Sequence, residues 1–206
     1  SMVSVTSFAT QSPGYINKGS PLVQGENLAP TALTSANLPT IQGSYNNLQS
    51  DPYGMTNWQD GFLKSQASFP GFAPADAPDL AILITDGNPN TINDPDDPTK
   101  TISWGPYSLS AAVTVADEIK EAGVHMFGIA VGSSISLGPI KAVTNDEALN
   151  SEGSNFATAG YTETDNYAAL AKTLKKIAVQ LCAPSLTINK VVTSSDKPEP
   201  TPADGW

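Results

Sequence analysis

Apolar residues gather along this chain in two kinds of pattern, and each pattern predicts an element. Leu80–Thr85 is a continuous apolar run with no turn former inside it, as expected of a strand buried on both faces of a parallel sheet. Val124–Gly132 (VHMFGIAVG) reads as a second buried strand, and the short, β-branched and aromatic Met2–Ala9 (MVSVTSFA) as a third. Helical spacing replaces continuity elsewhere. Trp58, Phe62 and Leu63 predict a helix over Thr56–Ser68. Val115 and Ile119 predict another over Ser110–Ala122, with Ser110 as its N-cap and Gly123 as its stop. Tyr167–Cys182 is the clearest helix: Leu170, Leu174, Ile177 and Leu181 share one face, and Lys172, Lys175 and Lys176 lie off it. Ile140–Glu147 predicts a short helix and Asn155–Gly160 a last, short strand.

Between these runs the chain is polar. Thr10–Tyr53, rich in Pro, Gly, Ser, Asn and Gln, reads as a long decorated loop with room for an edge strand and a short helix around Leu28–Leu38. Pro70–Pro78 is a linker and Gly87–Tyr107 a second polar loop. Ala183-Pro184 breaks the closing helix. Ser185–Val192 (SLTINKVV) then alternates like a new strand before the chain dissolves into Ser, Asp and Pro ahead of Gly205-Trp206. Two units are expected: residues 1–182, and residues 183–206 with a linker and the first strand of a further domain. The alternation of strand and helix in the first predicts an α/β fold, a doubly wound, mostly parallel sheet with helices on both faces.

Composition narrows the function classes. The 206 residues are 39% hydrophobic, enough for one globular domain with a short appendage. The net charge of −10 comes from twenty acids against ten lysines, with no arginine. Such a chain lacks the cationic clusters that neutralise phosphates and read bases, so nucleic acid is disfavoured, and anionic membrane surfaces equally. Divalent cations, or partners presented through them, fit the charge, as does a merely soluble or halophilic surface. No apolar run approaches the ~20 residues of a membrane span, so direct membrane insertion is not expected. The first residues lack the basic-then-apolar layout of a signal peptide. Cys182 is the sole cysteine, either a buried thiol or half of a disulfide whose partner lies elsewhere. The Ser-, Thr-, Pro- and Asn-rich composition favours an exported protein.

Candidate chemistry sits at Asp86. The strand Leu80–Thr85 stops on Thr-Asp-Gly, which leaves Asp86 at its carboxyl edge, where open α/β sheets bind ligands. With Thr56 arriving from Gly54-Met-Thr-Asn57, this suggests half of an oxygen-ligand metal site. A strand-end turn and a helix N-cap are the structural roles open to the same two residues. Asp94, Asp96 and Asp97 alternate with prolines in the loop just beyond and lack the EF-hand spacing, which favours a solvated loop over a calcium site. Trp104, Tyr107, Tyr45 and Tyr53 are either recognition aromatics or packing residues. His125 opens its strand at the amino edge, roughly a strand length (~17–20 Å) from Asp86, so neither a Ser-His-Asp nor a Cys-His arrangement assembles there. One His and one Cys do not make a zinc site. Gly128 and Gly132 open no helix and form no phosphate-binding fingerprint.

These residues resemble the von Willebrand factor A family over Met2 to Cys182. MVSVTSFA looks like its second strand, Gly54-Met-Thr-Asn-Trp58 like its Gly-x-Thr-Asn segment, AILITDG like its fourth strand, HMFGIAVG like its fifth, and NYAALAKTLKKIAVQLC like its closing helix. The resemblance implies a metal-ion-dependent adhesion site in which Thr56 gives a hydroxyl ligand to Mg²⁺ or Mn²⁺ (Ca²⁺ is a further option) and Asp86 binds the ion through water. An acidic group of the partner completes the coordination. The family's first strand ends in Asp-x-Ser-x-Ser, and no such motif occurs in these residues. The cofactor is therefore expected only where that strand is supplied, by a longer parent protein or by another chain. Without it the sheet would expose unpaired edges. In extracellular members a cysteine at the position of Cys182 pairs with one ahead of the first strand. SLTINKVV is similar to the first strand of pilin-type Ig-like domains, in which a lysine at the position of Lys190 forms an isopeptide bond.

What this implies is a cell-surface adhesion module, not an enzyme. The resemblance points to a Gram-positive pilus tip or a wall-anchored adhesin that binds an extracellular or host protein through an acidic residue. The alternative is a structural spacer or assembly domain of a surface fibre or pilus, with a degenerate metal site. An intracellular partner of an ATPase or metal chelatase is disfavoured by the pilin-like strand after Cys182.

Overall fold

A computed structural model describes residues 2–17, 23–46, 55–69, 79–103, 105–149, 155–182, 191–194 and 197–202. In chain order the elements are β1 (Met2–Val5), β2 (Tyr15–Asn17), β3 (Val23–Gln24), β4 (Leu28–Ala32), α1 (Leu38–Asn46), α2 (Trp58–Ala67) and β5 (Leu80–Thr85). They continue as β6 (Thr91–Asn93), β7 (Thr101–Ser103), α3 (Tyr107–Glu121), β8 (His125–Val131), α4 (Leu137–Val143), β9 (Tyr161–Thr164), α5 (Tyr167–Cys182), β10 (Val191–Ser194) and β11 (Lys197–Pro202).

The fold is α/β. Its central sheet has the order β5-β8-β9, all parallel, with Leu80 opposite His125 and Thr85 opposite Ala130. β8 lies in the middle and is buried from Met126 onward, which explains its unbroken apolar sequence. One face carries Leu83, Met126 and Ala130 against Trp58 and Phe62 of α2, Val115 and Ile119 of α3, and Ile140 and Val143 of α4. The other carries Phe127, Ile129 and Val131 against Leu170, Leu174 and Ile177 of α5, with Phe156 beside them. Helices on both faces are the doubly wound arrangement expected from the strand–helix alternation.

β5 is an edge. The His125 N–H donates to the Asp79 carbonyl at 3.1 Å, so by strand alternation the backbone groups of Leu80, Ile82 and Ile84 point away from β8. No strand among the described residues pairs with them. Their side chains share a face with Phe127 and Ile129, yet Ile82 and Ile84 are each 37% exposed while those β8 neighbours are fully covered. β1 pairs antiparallel with β4 in a separate two-stranded sheet.

Several expectations need correcting. The first strand stops at Val5, short of Ala9. Leu28–Ala32 is strand and the helix follows it, at Leu38–Asn46. The polar loop after Gly87 contains the antiparallel hairpin β6–β7. α3 starts at Tyr107, three residues before Ser110, whose hydroxyl instead donates back to the Tyr107 carbonyl at 3.0 Å. α4 lies at Leu137–Val143, earlier than predicted. Asn155–Gly160 is a turn, closed by Ala159 N–H to Asn155 O at 3.0 Å, and the strand is Tyr161–Thr164 instead. Lys197–Pro202 is a strand paired with β10, although its Ser-Asp-Pro surroundings predict none. α5 has the predicted bounds, ending on Cys182. The predicted strand Ser185–Val192 falls mostly outside the described residues, as do Lys190, Tyr53 and Trp104.

Candidate functional site

β5 delivers Asp86 to the carboxyl edge of the sheet. The turn after it is closed by Thr85, whose hydroxyl donates to the Gly87 carbonyl at 2.9 Å and accepts from the Gly87 N–H at 3.3 Å. This leaves the Asp86 side chain at the apex, exposed. Its Oδ2 accepts a hydrogen bond at 2.9 Å from the hydroxyl of Tyr167, the first residue of α5. Partial burial, then that bond and the carboxylate charge, push the Tyr167 phenol up to about 12.

Thr56 reaches the same edge from the other side. It lies just ahead of α2, whose N-cap is Asn57 rather than Thr56: the Asn57 Oδ1 accepts from the Asp60 N–H at 3.0 Å. Thr56 is thereby free of capping and is held by Asn90 instead. The Thr56 N–H donates to Asn90 Oδ1 at 2.7 Å, and the Asn90 N–H donates to the Thr56 carbonyl at 3.0 Å. The Thr56 hydroxyl faces Gly87, where an added Cβ would meet Thr56 Oγ1 at 3.0 Å. Thr56, distant in sequence, is thus brought against Gly87, the residue that follows Asp86.

A buried polar clasp fixes this edge. Asp60 is buried, accepting from the Ser12 N–H at 2.6 Å and from Asn93 Nδ2 at 2.9 Å. Asn57 Nδ2 donates to Asn93 Oδ1 at 3.0 Å and to the Thr10 carbonyl at 3.2 Å, while its N–H donates to the Ala9 carbonyl at 2.8 Å. The segments around residues 9–12, 56–60 and 90–93 are therefore tied together, and the α2 N-terminus favours the Asp60 carboxylate in its first turn. Asp60, Asn90 and Asn93 were not expected as contributors; the one sequence signal was an acid three residues after a capping Asn, which marks a helix start.

The remaining candidates lie apart. Asp94 and Asp97 are engaged within their own hairpin turn: Asp94 Oδ1 accepts from the Asp96 N–H, and Asp97 pairs with Lys100 at 2.8 Å. Lys100 and then Thr99 hold the Asp97 carboxyl below its ordinary value. Tyr45 and Tyr107 are exposed. His125 packs edge-on against Phe156 at 5.5 Å between ring centroids, far from Asp86 along the parallel register. Cys182 ends α5.

Chemically, the edge offers one carboxylate and one hydroxyl, both hard oxygen donors suited to Mg²⁺, Mn²⁺ or Ca²⁺. The gap at Gly87 that admits the Thr56 hydroxyl fits such a use. Among the described residues no group of three or more His, Cys, Asp or Glu is placed to hold a metal ion, so further donors are needed to complete a coordination shell.

No protein-family model matches the chain, and no curated protein matches it either. Its fold does have solved counterparts. The pilus adhesin SpaC from Lactobacillus rhamnosus GG superposes with a TM-score of 0.57 at 16% identity, over 86% of this chain and 24% of that one. The open conformation of the same adhesin gives 0.58 at 15% identity. Proximal thread matrix protein 1 from the mussel byssus gives 0.54 at 16% identity, over 88% of this chain and 37% of that one. The chain thus spans about a quarter of the adhesin's length and little more than a third of the byssus protein's. At these identities the likeness is one of fold.

Proposed function

We propose that this chain is the core of a von Willebrand factor A-like adhesion module of a surface or pilus protein. In this reading it docks an acidic group of an extracellular or host protein through a divalent cation. The observation that carries the reading is Thr56, pinned by Asn90, lying against Gly87 beside Asp86 at the carboxyl edge of a parallel sheet. The Thr56 hydroxyl would bind Mg²⁺ or Mn²⁺ directly and Asp86 through water. The cation would supply the positive charge that a carboxylate of the partner completes. Asp60, Asn57 and Asn93 bind no ion here; they hold the α2 start so that Thr56 keeps its place. The fold likeness to a pilus adhesin supports a cell-surface setting. The reading is of a binding module, not an enzyme.

A structural spacer in a surface fibre is the second reading. It is favoured by the sparse donor set, one carboxylate and one hydroxyl among the described residues, and by the fold likeness to a byssus thread matrix protein. Titration calorimetry with Mg²⁺ and Mn²⁺ separates the two. It would be run on this chain and on a version carrying an Asp-x-Ser-x-Ser strand and its helix ahead of Met2, each with Asp86→Ala as control. Cation binding that needs the added strand and is lost in Asp86→Ala supports adhesion. Binding by neither version supports the spacer.

A further inference from the structure

Asp-Gly occurs three times in the sequence, at residues 60–61, 86–87 and 204–205, the last outside the described residues. The fold treats the first two in opposite ways. Asp60 is buried in the first turn of α2, and its carboxylate accepts from the Ser12 N–H at 2.6 Å and from Asn93 Nδ2 at 2.9 Å. The Gly61 N–H is spent within the helix, on the Asn57 carbonyl at 3.3 Å. Asp86 is exposed at the apex of its turn. Its carboxylate accepts from the Tyr167 hydroxyl at 2.9 Å, a solvent-exposed and therefore weak bond. Gly87 lies past the end of the β5–β8 ladder, which stops at Thr85 opposite Ala130. Its N–H reaches the Thr85 hydroxyl at 3.3 Å, a long contact rather than a ladder bond. A Cβ at position 87 would stand 3.0 Å from Thr56 Oγ1, which reserves the place for glycine and leaves its nitrogen without a side chain to screen it.

We propose that the Asp86–Gly87 bond is a site of spontaneous isoaspartate formation in the folded protein, from which Asp60–Gly61 is protected. The Gly87 nitrogen attacks Cγ of the Asp86 carboxyl group in its neutral form. A C–N bond closes a succinimide ring, and the carboxyl OH leaves with the nitrogen's proton as water. Water then opens the ring at either carbonyl, restoring aspartate or giving isoaspartate. Mass and oxidation state are unchanged, and water is the sole co-reactant. Ring closure asks two things of a fold: a side chain able to swing onto the next nitrogen, and a nitrogen that no ladder or helix holds. Asp86 and Gly87 meet both, whereas Asp60 and Gly61 meet neither. In isoaspartate the main chain runs through the former side chain and the carboxylate sits on Cα. The acid thus retreats from the Tyr167 hydroxyl, and the chain gains a link where β5 leaves the sheet. The inference is independent of any role for Asp86 in binding; it gives that carboxylate a finite chemical lifetime.

The test stores the 206-residue chain in neutral buffer at physiological temperature for several weeks, with an unstored sample as reference. Trypsin places the two bonds on separate peptides, residues 65–100 and 19–64. Electron-transfer fragmentation, which cleaves isoaspartate at its additional main-chain carbon, locates the product. Isoaspartate at Asp86 should exceed that at Asp60 by about tenfold or more, the least that giving up two buried hydrogen bonds imposes on Asp60. Asp86→Asn closes the same ring with ammonia as the leaving group and should convert faster still, read by the mass gained when the amide is lost. Circular dichroism checks that this variant is folded, and parallel samples in urea supply the rate of the unfolded chain. A stored native chain without isoaspartate at Asp86, or with equal amounts at Asp86 and Asp60, overturns the proposal. An Asp86→Asn protein that keeps its amide while folded and loses it only in urea overturns it as well, because the fold then forbids the ring.

Discussion

Asn90 grips the peptide of Thr56 from both sides, accepting its N–H at 2.7 Å with the side chain and donating its own N–H to its carbonyl at 3.0 Å. The position of the Thr56 hydroxyl is therefore set by a residue of the loop that follows Asp86. Asn90→Ala leaves the Thr56 N–H without its acceptor, at a cost of about 1–2 kcal/mol. Asn90→Asp keeps the acceptor and should recover most of that. Urea unfolding of the three proteins checks both outcomes; equal losses in Ala and Asp variants would count against the grip.

Gly128 is demanded by packing. A Cβ there would lie 2.5 Å from Cγ2 of Ile140 in α4, a β-branched side chain with little rotamer freedom. Gly128→Ala should lower stability by about 1–3 kcal/mol through overpacking. Adding Ile140→Ala should return less than it costs alone, so the double-mutant cycle has a coupling term well above measurement error.

His125 carries an orphan. Its Nε2 is buried without a hydrogen-bond partner among the described residues, while the ring lies against Phe127 and Phe156. Replacing it with an aromatic of similar shape removes the desolvated polar atom and keeps the ring contacts. His125→Phe should therefore raise the thermal midpoint, by the equivalent of about 1 kcal/mol. His125→Ala, which removes the ring as well, should lower it.

Tyr167 predicts a response to alkali. Its phenol is pushed up to about 12, first by partial burial and then by the Asp86 bond and charge. The fold thus favours the neutral phenol. The stability it contributes is complete below the ordinary tyrosine range near 10 and is lost as pH climbs from there to about 12. Asp86→Asn should bring the phenol part of the way down, leaving the share due to burial. Ultraviolet titration of wild type and Asp86→Asn, each against Tyr167→Phe, measures the difference.

Legibility in the sequence followed the strength of local signals. Leu80–Thr85 and Val124–Gly132 were readable because a strand covered on both faces must be apolar throughout, and α5 because its one apolar stripe is long enough to show its period. Tyr161–Thr164 was hidden: alternating Tyr-Thr-Glu-Thr looks like surface, and what makes it a strand is parallel pairing with Gly128–Val131. β6 and β7 were hidden too, because three-residue strands between Asn, Asp and Pro carry no periodicity. At α2 two capping residues stand side by side; Asn57 takes the Asp60 N–H, while Thr56 is held by Asn90 across 34 residues, a tertiary contact no local signal shows. Asp86 was legible from the strand end and Thr56 from the Gly54–Asn57 segment, with no fixed spacing between the two. Tyr167 and Asn90, the residues that touch them, had no local signal at all.

The bare rim of β5 has a colloidal consequence. Among the described residues no strand covers the peptide groups of Ile82 and Ile84, which also present apolar flanks, with no charge or proline among Leu80–Thr85 to discourage a neighbour. The overall charge of −10 opposes such contact between copies, a repulsion that salt screens within about 8 Å at physiological ionic strength. Raising ionic strength should thus turn well-dispersed protein into rim-to-rim multimers, a behaviour the reverse of salting-in.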